Sequence, residues 1–269
     1  MMLNKMDKDS IIQEIAGEFS KLPAVEAVAL SGSKTGLIND ELSDFDMYVY
    51  SKEPVPLECR GELASKYTDK YEVGNTFFED GDELSLASPK MGVDIMYRRL
   101  EWAENEVDWV WRKHNAKVAY TTCFLHNVKT SRVLFDRDGR FQKLVDELNS
   151  PFPEELKKNI IAKNYPLLKT KQGASFYEQI EFALKRNDYV SQNHRTAALL
   201  ASYFDILFAF NGQTHPGEKK LTAYAEKLCR VLPANFKPDV ENVVKAVGTP
   251  EILPALDKLL KELDLILGK

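Results

Sequence analysis

The sequence of 269 residues is poor in cysteine and histidine, the residues that form disulfides and most zinc sites. Its three cysteines, Cys59, Cys123 and Cys229, are widely spaced and include no CxxC pair. The four histidines do not show the spacing of metal ligands either. These absences argue against a disulfide framework and against a zinc site. They favour a reducing compartment, so we expect a cytoplasmic protein.

The sequence also lacks a long hydrophobic run and an excess of positive charge. Its longest apolar stretch, Ala197–Phe210, is interrupted by Asp205 and is shorter than the ~20 residues that a membrane-spanning helix needs. Residues 1–10 contain no apolar core of a signal peptide. A formal net charge of −5 provides no general attraction to nucleic acid or to an anionic membrane. We therefore expect no membrane association and no nucleic-acid partner, and the sequence indicates no oligomeric state.

The hydrophobic pattern changes once along the chain. Up to Asn149, short β-type runs alternate with helical periodicity, whereas only helical periodicity follows. The segment Ser150-Pro151-Phe152-Pro153 marks the change, because two prolines within four residues do not fit a helix interior. The sequence thus predicts an α/β domain with a small mixed sheet over residues 1–150. An all-α helical bundle should follow over residues 151–269, with Tyr189–Phe210 as its buried central helix.

Two regions of the first half have a simple structural interpretation. Residues 71–98 predict three short strands with a turn at Gly81-Asp82, and Arg99–Asn115 predicts one continuous helix. Several acids surround the predicted turn, and the simplest interpretation is a solvated hairpin tip. These acids are Glu79, Asp80, Asp82 and Glu83.

The residues that carry chemistry lie between positions 25 and 50. The apolar run Val25–Leu30 ends in Ser31-Gly32-Ser33, and Asp44 and Asp46 follow after a short spacer. Because side chains alternate along a strand, both aspartates should project from one face. Adjacent carboxylates repel unless a cation lies between them, and a Gly-Ser turn offers N–H groups and a hydroxyl to phosphate. The pattern predicts a magnesium site beside a phosphate site.

Interpretations without this chemistry remain open for the single pieces. Ser43-Asp44 is also typical of a turn, and Asp94 is also compatible with an acid at a sheet edge. The stretch Gly32–Thr35 looks like part of a P-loop, but it lacks both the glycine before the lysine and the earlier glycine of that motif. We therefore reject a P-loop.

Taken together, the Gly-Ser turn, the spacer, Asp-x-Asp and the apolar run Met47–Tyr50 resemble the nucleotidyltransferase superfamily related to DNA polymerase beta. In that superfamily a third carboxylate follows on a neighbouring strand, and Asp94 within Met91–Tyr97 matches it. The resemblance implies a nucleotidyltransferase with three catalytic aspartates that bind two Mg²⁺ ions. These are Asp44, Asp46 and Asp94. It also implies that Gly32 and Ser33 bind the triphosphate of an NTP.

Two lysines are further candidates for contacts with the triphosphate. Lys34 follows the Gly-Ser turn directly. Lys219 follows Pro216-Gly217 at a predicted helix start, where a lysine is unfavourable unless an anion is nearby. A solvated surface position is the alternative for each of them.

The predicted layout, a sheet domain followed by a helical bundle, resembles small-molecule nucleotidyltransferases such as the aminoglycoside-modifying enzymes. That resemblance implies transfer of an NMP, with AMP expected, from an NTP to a hydroxyl of a small acceptor, with release of pyrophosphate. Residues 186–220 also resemble the helical half of bacterial nucleotidyltransferase-like proteins with no settled substrate. Two alternatives stay open, namely a protein adenylyltransferase of the antitoxin type and a non-catalytic NTP-binding module.

Overall fold

The computed structural model describes residues 7–38, 43–170 and 173–269. These residues form two compact units. Unit 1 comprises the described residues of Met1–Asp108 together with Asn127–Ser150. Unit 2 comprises Trp109–His126 together with the described residues of Pro151–Lys269. The chain crosses between the units three times; the last crossing lies at the proline-rich segment, whereas residues 109–126 belong to unit 2 although they precede it.

Unit 1 is built on a mixed sheet whose six described strands have the order β3-β4-β5-β2-β1-β6. The strands are β1 Val25–Ser31, β2 Phe45–Ser51, β3 Tyr71–Asn75, β4 Gly81–Ala87, β5 Lys90–Arg98 and β6 Arg132–Asp136. The helices of its chain segments are α1 Lys8–Ser20, α2 Leu57–Ser65, α3 Leu100–Val107 and α5 Arg140–Leu148, while α4 Cys123–Thr130 spans the change from unit 2 to unit 1. An α/β fold with a small mixed sheet is therefore confirmed for this half.

One face of the sheet packs into the main core of unit 1. Met47 on β2 and Ile95 on β5 are buried there with apolar residues of α1 such as Ile15. Strand β2 runs parallel to β5 and antiparallel to β1, so it lies inside the sheet. Because side chains alternate, Asp46 and Asp94 project from the opposite face.

The predicted turn at Gly81-Asp82 is wrong, because both residues begin β4. Asp82 is buried and accepts hydrogen bonds from Arg60 Nε at 3.0 Å, the Gly74 amide at 2.9 Å and the Tyr97 hydroxyl at 2.6 Å. The Arg60 guanidinium also lies 3.9 Å from the centre of the Tyr97 ring. Asp82 is thus the centre of a buried charged network rather than a solvated acid.

Two of the neighbouring acids, Glu79 and Asp80, lie in the loop between β3 and β4, as a hairpin tip requires, but both are paired with arginines. Asp80 accepts from Arg60 at 2.9 Å. Glu79 accepts two hydrogen bonds from Arg98, each of 2.7 Å. Glu83 is exposed on β4, as its predicted solvation requires.

Helix α3 ends earlier than predicted, and Asp108–Arg112 form a π-helical turn. Unit 2 is otherwise helical, which confirms the predicted all-α second half. Its further helices are α6 Glu154–Leu168, α7 Phe176–Lys185, α8 Tyr189–Phe210, α9 Leu221–Leu228, α10 Phe236–Ala246 and α11 Ile252–Leu267. Almost every residue of α8 from Leu199 to Ala209 is buried, so this helix forms the predicted centre. No helix in the described ranges is both long and apolar enough to cross a membrane.

The buried part of α8 includes one acid, Asp205, which is 1% exposed. Its carboxylate accepts from the Thr121 amide at 3.1 Å, the Thr121 hydroxyl at 2.7 Å and Asn164 Nδ2 at 3.2 Å. Burial raises the pKa of Asp205 to about 7 from an ordinary value of 3.8, although these hydrogen bonds oppose the shift. The carboxyl group therefore titrates near neutral pH in the folded protein.

This raised pKa predicts a pH-dependent stability of unit 2. Below about pH 4 the carboxyl group is protonated in both states, and its full stabilising contribution is present. The contribution is lost as the pH rises towards about 7, because only the unfolded state ionises readily. Asp205→Asn should therefore gain stability relative to the wild type between pH 4 and pH 7, as measured by urea denaturation. A difference between the two proteins that stays constant with pH would contradict this.

Candidate functional site

Two of the predicted site aspartates are direct neighbours on the central strands. Asp46 of β2 and Asp94 of β5 pair in register, and both lie on the face opposite the main core. Residues paired in this way on adjacent strands project side by side. Asp44 immediately precedes β2, two residues before Asp46, and is exposed. The structure thus brings the three predicted acids to one region of unit 1.

Gly32 follows β1 and lies directly against Asp46. Its φ of +69° is in the left-handed region that favours glycine. A Cβ at this position would lie 1.9 Å from Asp46 Oδ2. Both the backbone and the carboxylate therefore require glycine here, and the Gly-Ser turn touches the Asp-x-Asp motif.

Gly92 on β5 has the same relation to Asp44. A Cβ at position 92 would lie 2.1 Å from Asp44 Oδ1 and 2.5 Å from Asp44 Cγ. The Asp44 carboxylate thus lies over the backbone of β5. The two carboxylates of the motif rest on two different neighbours, Asp46 on Gly32 and Asp44 on Gly92.

The side chains of Ser33 and Lys34, which follow Gly32, lie in different environments. Ser33 and Lys34 form, with Gly32, a short 3₁₀ turn. The Ser33 hydroxyl oxygen is buried and has no hydrogen-bond partner among the described residues. Such groups usually have a partner, so this hydroxyl is available to a ligand. Lys34 Nζ lies 5.2 Å from the ring centroid of Phe45, a residue of the core face.

Tyr48 follows Asp46 by two residues on β2 and lies on the same face, so it bounds the site at the end farther from Asp44. Burial raises the pKa of its phenol, and the nearby negative charge of Asp46 raises it further against the opposing Arg98 charge. The guanidinium of Arg98 lies 4.5 Å from the centre of the Tyr48 ring. Tyr48 therefore stays protonated at neutral pH.

The sequence interpretation missed that the row of acids continues across the sheet. Glu83 of β4 pairs in register with Asp94, and Glu72 of β3 pairs in register with Glu83. Like charges directly opposite each other on a sheet are destabilising. The alternation in β4, where Leu84 and Leu86 join the core, was the only local signal that Glu83 shares a face with Asp94.

Lys219 is exposed in the turn before α9 and belongs to unit 2. Within the described parts of the chain, no three His, Cys, Asp or Glu side chains are gathered closely enough to hold a metal ion. Asp46 and Asp94 are neighbours, whereas the Asp44 carboxylate lies on Gly92. Exposed Asp44 can turn about its side-chain bonds without disturbing the core.

Gly32→Ala should disrupt this site more than it disrupts the fold. A matched control is Gly139→Ala, because Gly139 has a similar φ of +68° but open space around it. A left-handed alanine costs about 1–2 kcal/mol, so both variants should lose a similar amount of stability. Only Gly32→Ala displaces the Asp46 carboxylate, so only this variant should lose affinity for Mn²⁺ in a titration followed by electron paramagnetic resonance. Equal Mn²⁺ affinities of the two variants would contradict the close approach of Gly32 to Asp46.

The fold and the site define an α/β domain with paired carboxylates beside a Gly-Ser turn, followed by a helical unit. A family model for a domain of unknown function, DUF4037, matches residues 119–221, the stretch that contains the Asp205 network. No curated protein sequence matches the chain.

Two solved structures are similar to this chain at 12% sequence identity. One is a nucleotidyltransferase-like protein from Exiguobacterium sibiricum 255-15, with a TM-score of 0.45 over 97% of this chain and 75% of that chain. The other is a CCA-adding enzyme in complex with ATP, with a TM-score of 0.30 over 96% of this chain and 74% of that chain. At these scores, a conclusion about function has to come from the residues of the site.

Proposed function

We propose that this protein is a magnesium-dependent nucleotidyltransferase that moves an NMP, with AMP expected, from an NTP to a hydroxyl of a small-molecule acceptor. One observation carries the proposal. Asp46 and Asp94 lie side by side on parallel strands, and the Asp46 carboxylate rests on the glycine of a Gly-Ser turn. Carboxylate pairs next to phosphate-binding turns are the parts that phosphoryl and nucleotidyl transfer require.

The residues of the site fit magnesium in chemical type. Mg²⁺ prefers oxygen ligands and usually takes one or two carboxylates together with phosphate oxygens. Asp44, Asp46 and Asp94 would hold two such ions. When bound, they would neutralise the negative charge of the triphosphate and lower the pKa of the acceptor hydroxyl.

The chain itself would bind and orient the triphosphate. The amides of the Gly32–Lys34 turn and the Ser33 hydroxyl, which has no hydrogen-bond partner among the described residues, are donors of the kind that cradle phosphate. Lys34, the last residue of this turn, would add positive charge near the leaving group once its side chain turns away from Phe45. In the reaction, the acceptor oxygen bonds to the α-phosphorus, the bond from this phosphorus to the bridging oxygen breaks, and pyrophosphate leaves. The hydroxyl proton passes to solvent. Orientation and electrostatic stabilisation supply most of the rate enhancement in such reactions.

The direct test is an assay for nucleoside monophosphate addition. The protein would be incubated with Mg²⁺ and each labelled NTP, together with aminoglycosides, lincosamides or pooled cell metabolites. Mass spectrometry should detect an acceptor heavier by one nucleoside monophosphate, together with pyrophosphate. Label that appears only on protein would support the protein-modifying alternative instead. Saturable Mg²⁺-dependent NTP binding without any transfer would support a non-catalytic NTP-binding module.

A further inference from the structure

Gly92 lies in the interior of β5, and its backbone conformation does not require a glycine. Its φ does not lie in the left-handed region, so its backbone accepts any L-residue. A glycine inside a strand weakens that strand and often marks a place where another group approaches closely. The approaching group here is the Asp44 carboxylate, whose Oδ1 lies where a side chain at position 92 would begin.

The register of β2 and β5 explains this close approach. Phe45 pairs with Val93, and Asp46 pairs with Asp94. Asp44 therefore lies beside Gly92, one step before the Asp46–Asp94 pair and on the same face. A side chain at position 92 would occupy the space between Asp44 and the backbone of β5.

We propose that Gly92 is a positioning residue for the metal site, because its missing side chain lets the Asp44 carboxylate lie on β5 on the same face as Asp94. This inference rests on the proposed function, since it assigns Asp44 to the site that binds Mg²⁺. Gly32 and Gly92 then have parallel roles, each making room for one carboxylate of the Asp-x-Asp motif.

A purely structural role for Gly92 predicts a different result. Asp44 is exposed, so its carboxylate can swing into solvent when a methyl group takes its place. Alanine also restricts the unfolded chain more than glycine does, which favours the folded state. Gly92→Ala should therefore retain or increase stability while it weakens metal binding, whereas a structural glycine would show a loss of stability first.

The test uses the full chain and Mn²⁺ alone as the probe, with binding followed by electron paramagnetic resonance. The matched control is Gly61→Ala, because Gly61 lies in α2 and a Cβ there would meet nothing within 4 Å. We expect Gly92→Ala to bind Mn²⁺ about tenfold more weakly than the wild type, the lower end of the effect of altered support around metal ligands. Gly61→Ala should bind like the wild type, and both variants should melt at or above the wild-type temperature.

A double-mutant cycle with Asp44→Ala separates this mechanism from a general disturbance of β5. If Gly92→Ala acts only by displacing the Asp44 carboxylate, it should cause no further loss of Mn²⁺ affinity when Asp44 is already alanine. The inference is overturned by wild-type affinity in Gly92→Ala, by the same loss in the Asp44→Ala background, or by a Gly92→Ala protein that does not fold. A wild type that binds no Mn²⁺ would overturn the proposed function, and this inference with it.

Discussion

Replacing Asp46 by asparagine should reduce nucleotidyl transfer by about a thousandfold or more and leave the fold intact. The amide has nearly the same volume as the carboxylate, so Gly32 still accommodates it. The change removes one negative ligand from the paired carboxylates Asp46 and Asp94. A metal ion in such a site supplies several kcal/mol to the transition state, and about 4 kcal/mol corresponds to a thousandfold change in rate.

The matched control for this prediction is Asp69→Asn, because Asp69 is an exposed aspartate of the same unit. Transfer rates should be compared at saturating Mg²⁺ and NTP, with circular dichroism to verify folding. Asp69→Asn should keep the wild-type rate. Magnesium-dependent transfer by Asp46→Asn at a wild-type rate would remove Asp46 from the site.

Asp82→Asn should have the largest effect on stability, a loss of about 3–5 kcal/mol. Asp82 and Arg60 are each 3% exposed, and removing one charge leaves the other buried with less compensation. The Asp82 carboxylate also accepts hydrogen bonds from the Gly74 amide and the Tyr97 hydroxyl, and the neutral side chain of asparagine is a weaker acceptor. The free energy of unfolding can be measured with urea, and hydrogen exchange of residues 81–98 assigns the loss to unit 1.

The control for Asp82 is available within the same network. Asp80 pairs with the same arginine, but its side chain is 46% exposed. Because a partly exposed ion pair contributes at most about 1 kcal/mol, Asp80→Asn should cost much less than Asp82→Asn. Similar losses in both variants would show that burial does not set the strength of this network.

The sequence predicted the parts of unit 1 that depend on local periodicity. The apolar alternation around Asp44 and Asp46 determines both the strand and the face from which Asp46 projects, and the structure confirms these. The parallel register of β2 with β5, which makes Asp46 and Asp94 neighbours, depends on residues far apart in the chain. For the same reason no local pattern indicated that Gly92 lies beneath Asp44. The catalytic roles of these residues remain predictions.

The acidic segment before and within β4 shows why a local interpretation fails. Four acids near a glycine are typical of a solvated turn, yet Asp80 and Asp82 pair with Arg60 on a separate helix. Glu79 pairs with Arg98 at the end of β5. A buried ion pair has no signature in the sequence of either partner alone. The membership of residues 109–126 in unit 2 also has no signature in the sequence, because no change in composition marks this segment.

The three crossings of the chain between the units constrain the order in which the two units can be completed on the ribosome. Strand β1 pairs with β6, as Ala27 does with Asp136, so the sheet stays open at this edge until β6 has emerged. Thr121 is made before its partner Asp205. At about 5–20 residues per second, the stretch between them takes roughly 4–17 s to synthesise. During that interval residues 109–126 lack the later part of unit 2, to which they belong in the folded protein. A chain truncated near Asn149 would never contain that part.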